Sequence, residues 1–306
     1  MTQTVAVQVN ELSRHFGKIK AVDQISFTVY KGDVFGFLGQ NGAGKTTTIG
    51  MLLGLITPTS GGGNVLGFNI ETEQSLIKPK VGAIIENPCF YPYLTAFDNL
   101  KAMYYASNLK PDKDRIKDIL NQVGLGERAN TKYKTYSLGM KQRLGLASVL
   151  LTDPEIIFLD EPTNGLDPAG QKEIRELIIR LAKEQNKTVF ISSHQLSEIE
   201  KICNRVAIVQ KGKIIEIGAT EELLRSNEGI YFQIGNPELG RQILNANGFK
   251  ADHSVERNFN LFVHADTGKN NDIIRLLLDA SIDITAIEPH KHSLEDYFLQ
   301  LTSDKA

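Results

Sequence analysis

Tryptophan is absent from the 306 residues, and cysteine occurs only twice, at Cys89 and Cys203. Two distant cysteines build no disulfide framework, so a reducing compartment is the expected setting. No sign of charge dominates either: 34 Lys and Arg stand against 36 Asp and Glu, a net charge of −2. That balance removes the electrostatic case for nucleic-acid binding, which calls for a basic field. No stretch approaches the roughly 18–20 consecutive apolar residues of a membrane-spanning helix. The opening run MTQTVAVQVNELSRHF lacks the apolar centre of a signal peptide. If the protein works at a membrane, the expectation is therefore a cytoplasmic, peripheral position, acting on helices that another chain supplies. What remains is ordinary for a globular chain, 41% hydrophobic and 23% charged, with room for one large domain and a small one.

Up to about residue 226 the pattern alternates strands with helices. Residues 5–9, 25–30 and 34–38 read as strands, and 45–55 as a helix. A short strand is expected at 81–85, then a longer polar run of helical period from 94 to 126. Helix 141–151, strand 156–159, helix 168–184 and strand 188–192 follow, and strands 205–210 and 213–218 are joined by a Lys211-Gly212 turn. Alternation of this kind implies a mostly parallel sheet with covered faces. The helical stretch, about 90–152, reads as an inserted subdomain of a first domain spanning 1–226. Beyond it, 227–306 reads as strand, helix, two strands, helix, strand and a final amphipathic helix, the order of a small ferredoxin-like α+β unit. Such a unit, standing outside the chemistry, would serve regulation, dimer contact or stability.

Residues 39–46 read GQNGAGKT, the G-x-x-x-x-G-K-[ST] pattern, with the strand VFGFL before it and a helix-compatible run after it. In that context the backbone N–H groups of Gly39, Gln40, Asn41, Gly42, Ala43 and Gly44 close around phosphates, with Thr47 in the first helical turn. The helix N-terminus adds its positive end, Lys45 reaches the β- and γ-phosphates, and the Thr46 hydroxyl can ligate Mg²⁺. Residues 156–161 are four apolar residues followed by Asp160 and Glu161. Four buried-type residues suit a central parallel strand, and carboxylates at its C-terminal end stand where ligands gather. Asp160 would hold Mg²⁺, and Glu161 would polarise an attacking water as general base.

With YSLGMKQR at 136–143, these motifs make the chain resemble the nucleotide-binding subunits of ABC transporters over roughly residues 5–225. The fold this implies is an α/β P-loop NTPase. It has a mostly parallel core sheet, an N-terminal antiparallel β part and an inserted helical subdomain. The resemblance makes Ser137 and Gly139 contacts to ATP held by an opposite subunit, and the start of a helix there is a natural anion site. Leu138 and Met140 depart from the usual glycine and glutamine. The resemblance also makes Asp167 part of a loop crossing the dimer interface, His194 a switch residue at the γ-phosphate, and Phe16 the aromatic that stacks on adenine. Glu86 stands where the family usually places a glutamine that ligates Mg²⁺. A glutamate there can still ligate the ion, and the variant is similar to the bacitracin-resistance and lantibiotic-immunity branch, as is the added C-terminal unit.

The expectation is an ATPase using ATP and Mg²⁺ to drive integral-membrane permease subunits, working as a homodimer or with a second ABC subunit, in export of a drug or peptide antibiotic. The rival is a soluble ABC ATPase acting on ribosomes or nucleic acid. A single motif set argues against the two-cassette ribosomal type, and the span from Thr46 to Ile156, short and without heptads, against the coiled-coil DNA type. An unrelated P-loop kinase or GTPase would leave YSLGMKQR and His194 without a role.

Overall fold

Three runs with no exposed residue, Val34–Leu38, Ile156–Asp160 and Thr188–Ser193, form the centre of a six-stranded sheet. Both faces of such strands must be covered, which is why they read as continuous apolar runs. The computed structural model describes residues 3–86, 88–107, 109–225, 229–254, 258–265, 267–290 and 293–303. From edge to edge the sheet runs Lys213–Ala219, Arg205–Gln210, Val34–Leu38, Thr188–Ser193, Ile156–Asp160 and Val81–Ile84. The pairings from Arg205–Gln210 across to Val81–Ile84 are all parallel. Lys211 and Gly212, at φ 49° and 77°, make the turn between the first two, the backbone that favours a two-residue hairpin.

A second, antiparallel sheet runs Ile19–Tyr30, Val5–Phe16, Ser60–Val65 and Phe68–Asn69. The two sheets meet through aromatic rings. Phe27 of the antiparallel sheet lies 5.7 Å from Phe35 and 6.1 Å from Phe190 of the parallel one, and Phe158 lies 5.5 Å from Phe190. Rings at these separations add to their area burial. The helical stretch contains Ala96–Ala106, Lys113–Gln122 and Leu138–Leu150, the first two capped by the side chains of Thr95 and Asp112.

Several sequence expectations were too short. Strands expected at 5–9 and 25–30 extend to Val5–Phe16 and Ile19–Tyr30. Bulges break the alternation between Val9 and Arg14, and Glu11 and Gln24 sit at φ 47° and 55°, so the period-2 signal is lost while the pairing continues. Ser60–Val65, sequence SGGGNV, carries no strand signal of its own. It is ordered by pairing with Val5–Phe16, with Val7 opposite Val65 and Val9 opposite Gly63. The helix expected to reach residue 55 ends at Leu52.

The chain divides into two compact units, Met1–Gly218 and Ala219–Ala306; the boundary expected at 226–227 lies outside the described residues. In the second unit the sheet order is Lys250–His253, Leu261–His264, Gly229–Ile234, Ile284–His290, with every neighbour antiparallel. In sequence order that is 2-3-1-4, the ferredoxin-like arrangement. Ile230, Phe232, Leu261 and Val263 of the sheet share one core with Leu244 of helix Pro237–Ala246 and Ile273 and Leu277 of helix Asn270–Asp279.

Glu155, just before the central strand Ile156–Asp160, receives Lys80 at 2.8 Å and Lys31 at 3.1 Å. The hydrogen bond from Lys80, then that from Lys31, holds its carboxyl below the ordinary value. A depressed carboxylate adds stability above its unfolded-state pKa, and that stability is lost as pH falls through the folded-state value. Glu155→Gln is therefore expected to lower the melting temperature slightly at pH 7, within the ~0–1 kcal/mol of solvent-screened pairs. It should also reduce the further drop between pH 6 and pH 3. Thermal melts followed by circular dichroism check this; parallel acid profiles for the two proteins would show that the pairs contribute nothing.

Candidate functional site

Parallel strands that start in register also finish together. Leu38 pairs with Ser193, and Asp160 with Ser192. Their carboxyl ends therefore deliver the 39–44 loop, the Asp160-Glu161 pair and His194 to one edge of the sheet, the edge where open α/β sheets bind ligands. The loop then turns into helix Lys45–Leu52. Gly44, at φ 101°, caps that helix, and a Cβ there would lie 2.3 Å from the Ala21 carbonyl oxygen, so only glycine fits.

Lys45 is 6% exposed. Its ammonium donates to the carbonyls of Gly39 at 2.7 Å and Gln40 at 3.3 Å, and pairs with Glu161 Oε1 at 3.1 Å. The other Glu161 oxygen, Oε2, lies 2.7 Å from His194 Nδ1 and accepts the His194 backbone N–H at 3.4 Å. The Thr46 hydroxyl donates to Asp160 Oδ2 at 2.7 Å, and Ser192 Oγ donates to Asp160 Oδ1. A cation, two carboxylates, an imidazole and two hydroxyls thus form one connected network. Arranged so, they can hold a polyanion, orient a hydrated cation and accept a proton from water.

The network opens on a cleft of about 340 Å³ lined by Phe16, Ala21, Asn41, Gly42, Gly44, Lys45, Thr46, Thr47 and Glu161. Gly39 and Gln40 do not line it but give their carbonyls to Lys45. Ala43 is buried. Phe16 is 46% exposed, and the Arg14 guanidinium lies 4.5 Å from its ring centroid, held by a 2.8 Å bond to the Thr57 carbonyl.

The remaining expected site residues do not line the cleft. Glu86, at φ 59°, is two residues past Ile84, which pairs with Leu159. Thr46 and Asp160, two of the three expected Mg²⁺ ligands, share a hydrogen bond, and the parallel pairing of Ile84 with Leu159 brings Glu86 to the same edge of the sheet as Asp160. Ser137 caps helix Leu138–Leu150 by accepting the Met140 N–H at 3.3 Å, and Asp167 caps helix Pro168–Gln185 by accepting the Gly170 N–H at 3.2 Å. Neither Ser137, Gly139 nor Asp167 lines the cleft. The three neighbour one another instead: a Cβ on Gly165, at φ 74°, would meet Leu138 at 3.3 Å, and one on Gly139 would meet Leu166 at 3.9 Å.

Sequence reasoning passed over Ser192 and Arg14. The signal for the first was a Ser-Ser pair closing an apolar strand. For the second it was the i, i+2 spacing from Phe16, which puts both side chains on one face of a strand.

The oxygen donors suit Mg²⁺, which takes one or two carboxylates with hydroxyl, water and substrate oxygens. Thr46 and Asp160 offer that set at the cleft wall. Among the described residues no cluster of three or more His, Cys, Asp or Glu forms an all-protein metal cage. Nor, among them, is any helix long and apolar enough to cross a membrane.

The sequence profile of the ABC transporter family matches residues 22–164. The chain is 41% identical over 296 residues to the bacitracin transport ATP-binding protein BcrA of Bacillus licheniformis, covering 96% of each. It is 39% identical over 219 residues to the linearmycin resistance ATP-binding protein LnrL of Bacillus subtilis, covering 71% of this chain and 70% of that protein. Among solved structures, a dimeric, post-hydrolysis ATP-binding cassette bound to ADP and Pi superposes with a TM-score of 0.62 at 23% identity, over 70% of this chain and 98% of that one.

Proposed function

Because the chain belongs to the ABC transporter family, as a subunit that binds and hydrolyses ATP, we propose that it energises a separate membrane permease exporting a drug or peptide antibiotic. The observation that carries this reading is the extent of the likeness to the bacitracin transport protein. It runs over 96% of both chains and so takes in the C-terminal unit as well as the cassette.

In this reading Phe16 stacks on adenine, and the 39–46 loop wraps the phosphates. Lys45 exchanges its carbonyl and carboxylate partners for phosphate oxygens. Thr46, Asp160 and Glu86 would hold Mg²⁺, which when bound would neutralise charge on the phosphates. Glu161 accepts a proton from the attacking water, and His194, bonded to the same carboxylate at 2.7 Å, keeps it aimed. Placing donors where charge develops is the general source of phosphoryl-transfer catalysis.

Ser137, Gly139 and Asp167 stand outside the cleft of their own chain, and in the proposed assembly they serve the ATP of a second copy or a second ABC subunit. Nucleotide then favours the closed pair because only there do both halves of the site contact it. The proposed location is the cytoplasmic face of the cell membrane, on integral-membrane permease subunits, with no nucleic-acid partner.

The test is deletion of the gene in its host, followed by growth in cyclic and lanthionine peptide antibiotics. The expected outcome is heightened sensitivity to at least one of them. It should be restored by the wild-type gene and not by a Glu161→Gln copy. Unchanged sensitivity across both classes would overturn the proposed cargo.

A further inference from the structure

The strand Thr188–Ser193 is apolar along its middle and then closes on two serines, of which Ser192 is 0% exposed. A hydroxyl shut away from water costs free energy unless it is hydrogen-bonded. Both capacities of this one are used, and each is spent on an acidic residue of the site. Ser192 lies opposite Asp160 in the parallel register, and its Oγ–H donates to Asp160 Oδ1. The same oxygen accepts the backbone N–H of Glu161 at 3.1 Å, while the Ser192 carbonyl accepts that N–H at 3.2 Å.

We infer that Ser192 is a positioning residue for hydrolysis, orienting the Asp160 carboxylate toward Thr46 and pinning the backbone of Glu161 so that its side chain meets Lys45 and His194. The inference rests on the roles proposed above for Asp160 and Glu161.

Two physical points support it. A carboxylate turns easily about its last torsion, which is broad and nearly two-fold. With Oδ1 tied to Ser192, Oδ2 is left to Thr46 at 2.7 Å. Glu161 sits at φ 51°, a backbone region that non-glycine residues populate only when their surroundings hold them there. Its N–H, shared between the hydroxyl and the carbonyl of Ser192, is the bond that fixes that residue against the neighbouring strand. Ser192 does not line the nucleotide cleft, so its loss should fall on turnover and on the metal-dependent part of binding rather than on nucleotide contacts.

The experiment uses the full chain as wild type, Ser192→Ala, Ser192→Cys and Ser192→Thr. It measures kcat and KM for ATP, and binding of a non-hydrolysable ATP analogue by calorimetry with Mg²⁺ and in EDTA. Loss of an outer partner of a metal-holding carboxylate typically costs 10–100-fold. Ser192→Ala is therefore expected to lower kcat by at least about tenfold, with KM for Mg-ATP rising in step with the Mg²⁺-dependent loss of affinity. Affinity should weaken in Mg²⁺ and not in EDTA. Threonine keeps the hydroxyl and suits a strand, so it should recover much of the loss. Cysteine, a weak donor, should fall between alanine and wild type, and it carries the comparison if the alanine variant does not fold.

Wild-type kcat in Ser192→Ala would overturn the inference, as would equal weakening of binding with and without Mg²⁺. Asp160→Asn and Glu161→Gln are run alongside. If both hydrolyse ATP at the wild-type rate, the underlying reading of the acidic pair falls. If both are inactive while Ser192→Ala is not, only the role of Ser192 falls.

Discussion

Glu161→Gln is expected to bind ATP and to hydrolyse it roughly 10²–10⁴-fold more slowly, the range that a positioned general base contributes. The amide keeps the size and shape of the carboxylate and can still contact His194. It cannot take a proton from water, and it no longer pairs ionically with Lys45, which now stands 3.1 Å from Oε1. Substrate therefore binds and stays. If ATP holds two cassettes together, the variant should accumulate as an ATP-bound dimer. Single-turnover phosphate release measures the first effect, and sedimentation with and without Mg-ATP the second. Recovery of the trapped protein from native membranes together with a polytopic membrane protein would identify the permease. Hydrolysis within a few-fold of wild type would remove Glu161 from the mechanism, and a persistent monomer under saturating Mg-ATP would argue against the two-cassette assembly.

Lys45→Met is expected to act at the earlier step and to weaken ATP binding itself. Methionine retains the length and the apolar stem of lysine but removes the ammonium. That ammonium is buried against the Gly39 and Gln40 carbonyls and the Glu161 carboxylate. Hydrogen bonds to charged groups contribute about 1.5–3 kcal/mol, so affinity for ATP should fall by roughly 10–150-fold, with hydrolysis lost at cellular nucleotide levels. Lys45→Arg is not a rescue. The planar guanidinium has a different reach and donor geometry from the compact ammonium, and the pocket here closes on the latter. Equilibrium binding of radiolabelled ATP separates this result from that of Glu161→Gln, in which binding survives and turnover does not. Unchanged ATP affinity in Lys45→Met would show that the loop backbone alone carries phosphate recognition.

The two predictions differ in which part of the site the sequence made legible. GQNGAGKT and IIFLDEP are contiguous, and each carries its own structural context. A buried strand ends in a glycine loop in one, and a buried strand ends in a carboxylate pair in the other. The strands 34–38, 156–159 and 188–192 were readable because a strand covered on both faces carries a short continuous apolar run. The antiparallel hairpin between residues 10 and 24 was not, because bulges at Glu11 and Gln24 interrupt the alternation on which a single-sequence reading depends. Ser60–Val65 has three glycines in six residues and becomes a strand only because Val5–Phe16 offers it an edge. In the second unit the order of elements was legible, since both helices are amphipathic and the strands lie at turn-bounded intervals.

The sequence by itself located the pieces of the proposed chemistry: a phosphate-loop pattern, a magnesium-suited hydroxyl and carboxylate, and the proposed general base, each encoded within a few neighbouring residues whose backbone geometry follows from local rules. Only the tertiary structure decided how these pieces engage one another. Lys45 closes on Glu161 and Arg14 stacks on Phe16. Ser192 bridges the acidic pair. The contacts of Lys45 and Ser192 join strands and loops far apart in the chain, and they are set by the parallel register that aligns Leu38, Asp160 and Ser193 at one edge of the sheet. Register is a property of paired strands, which no single segment carries.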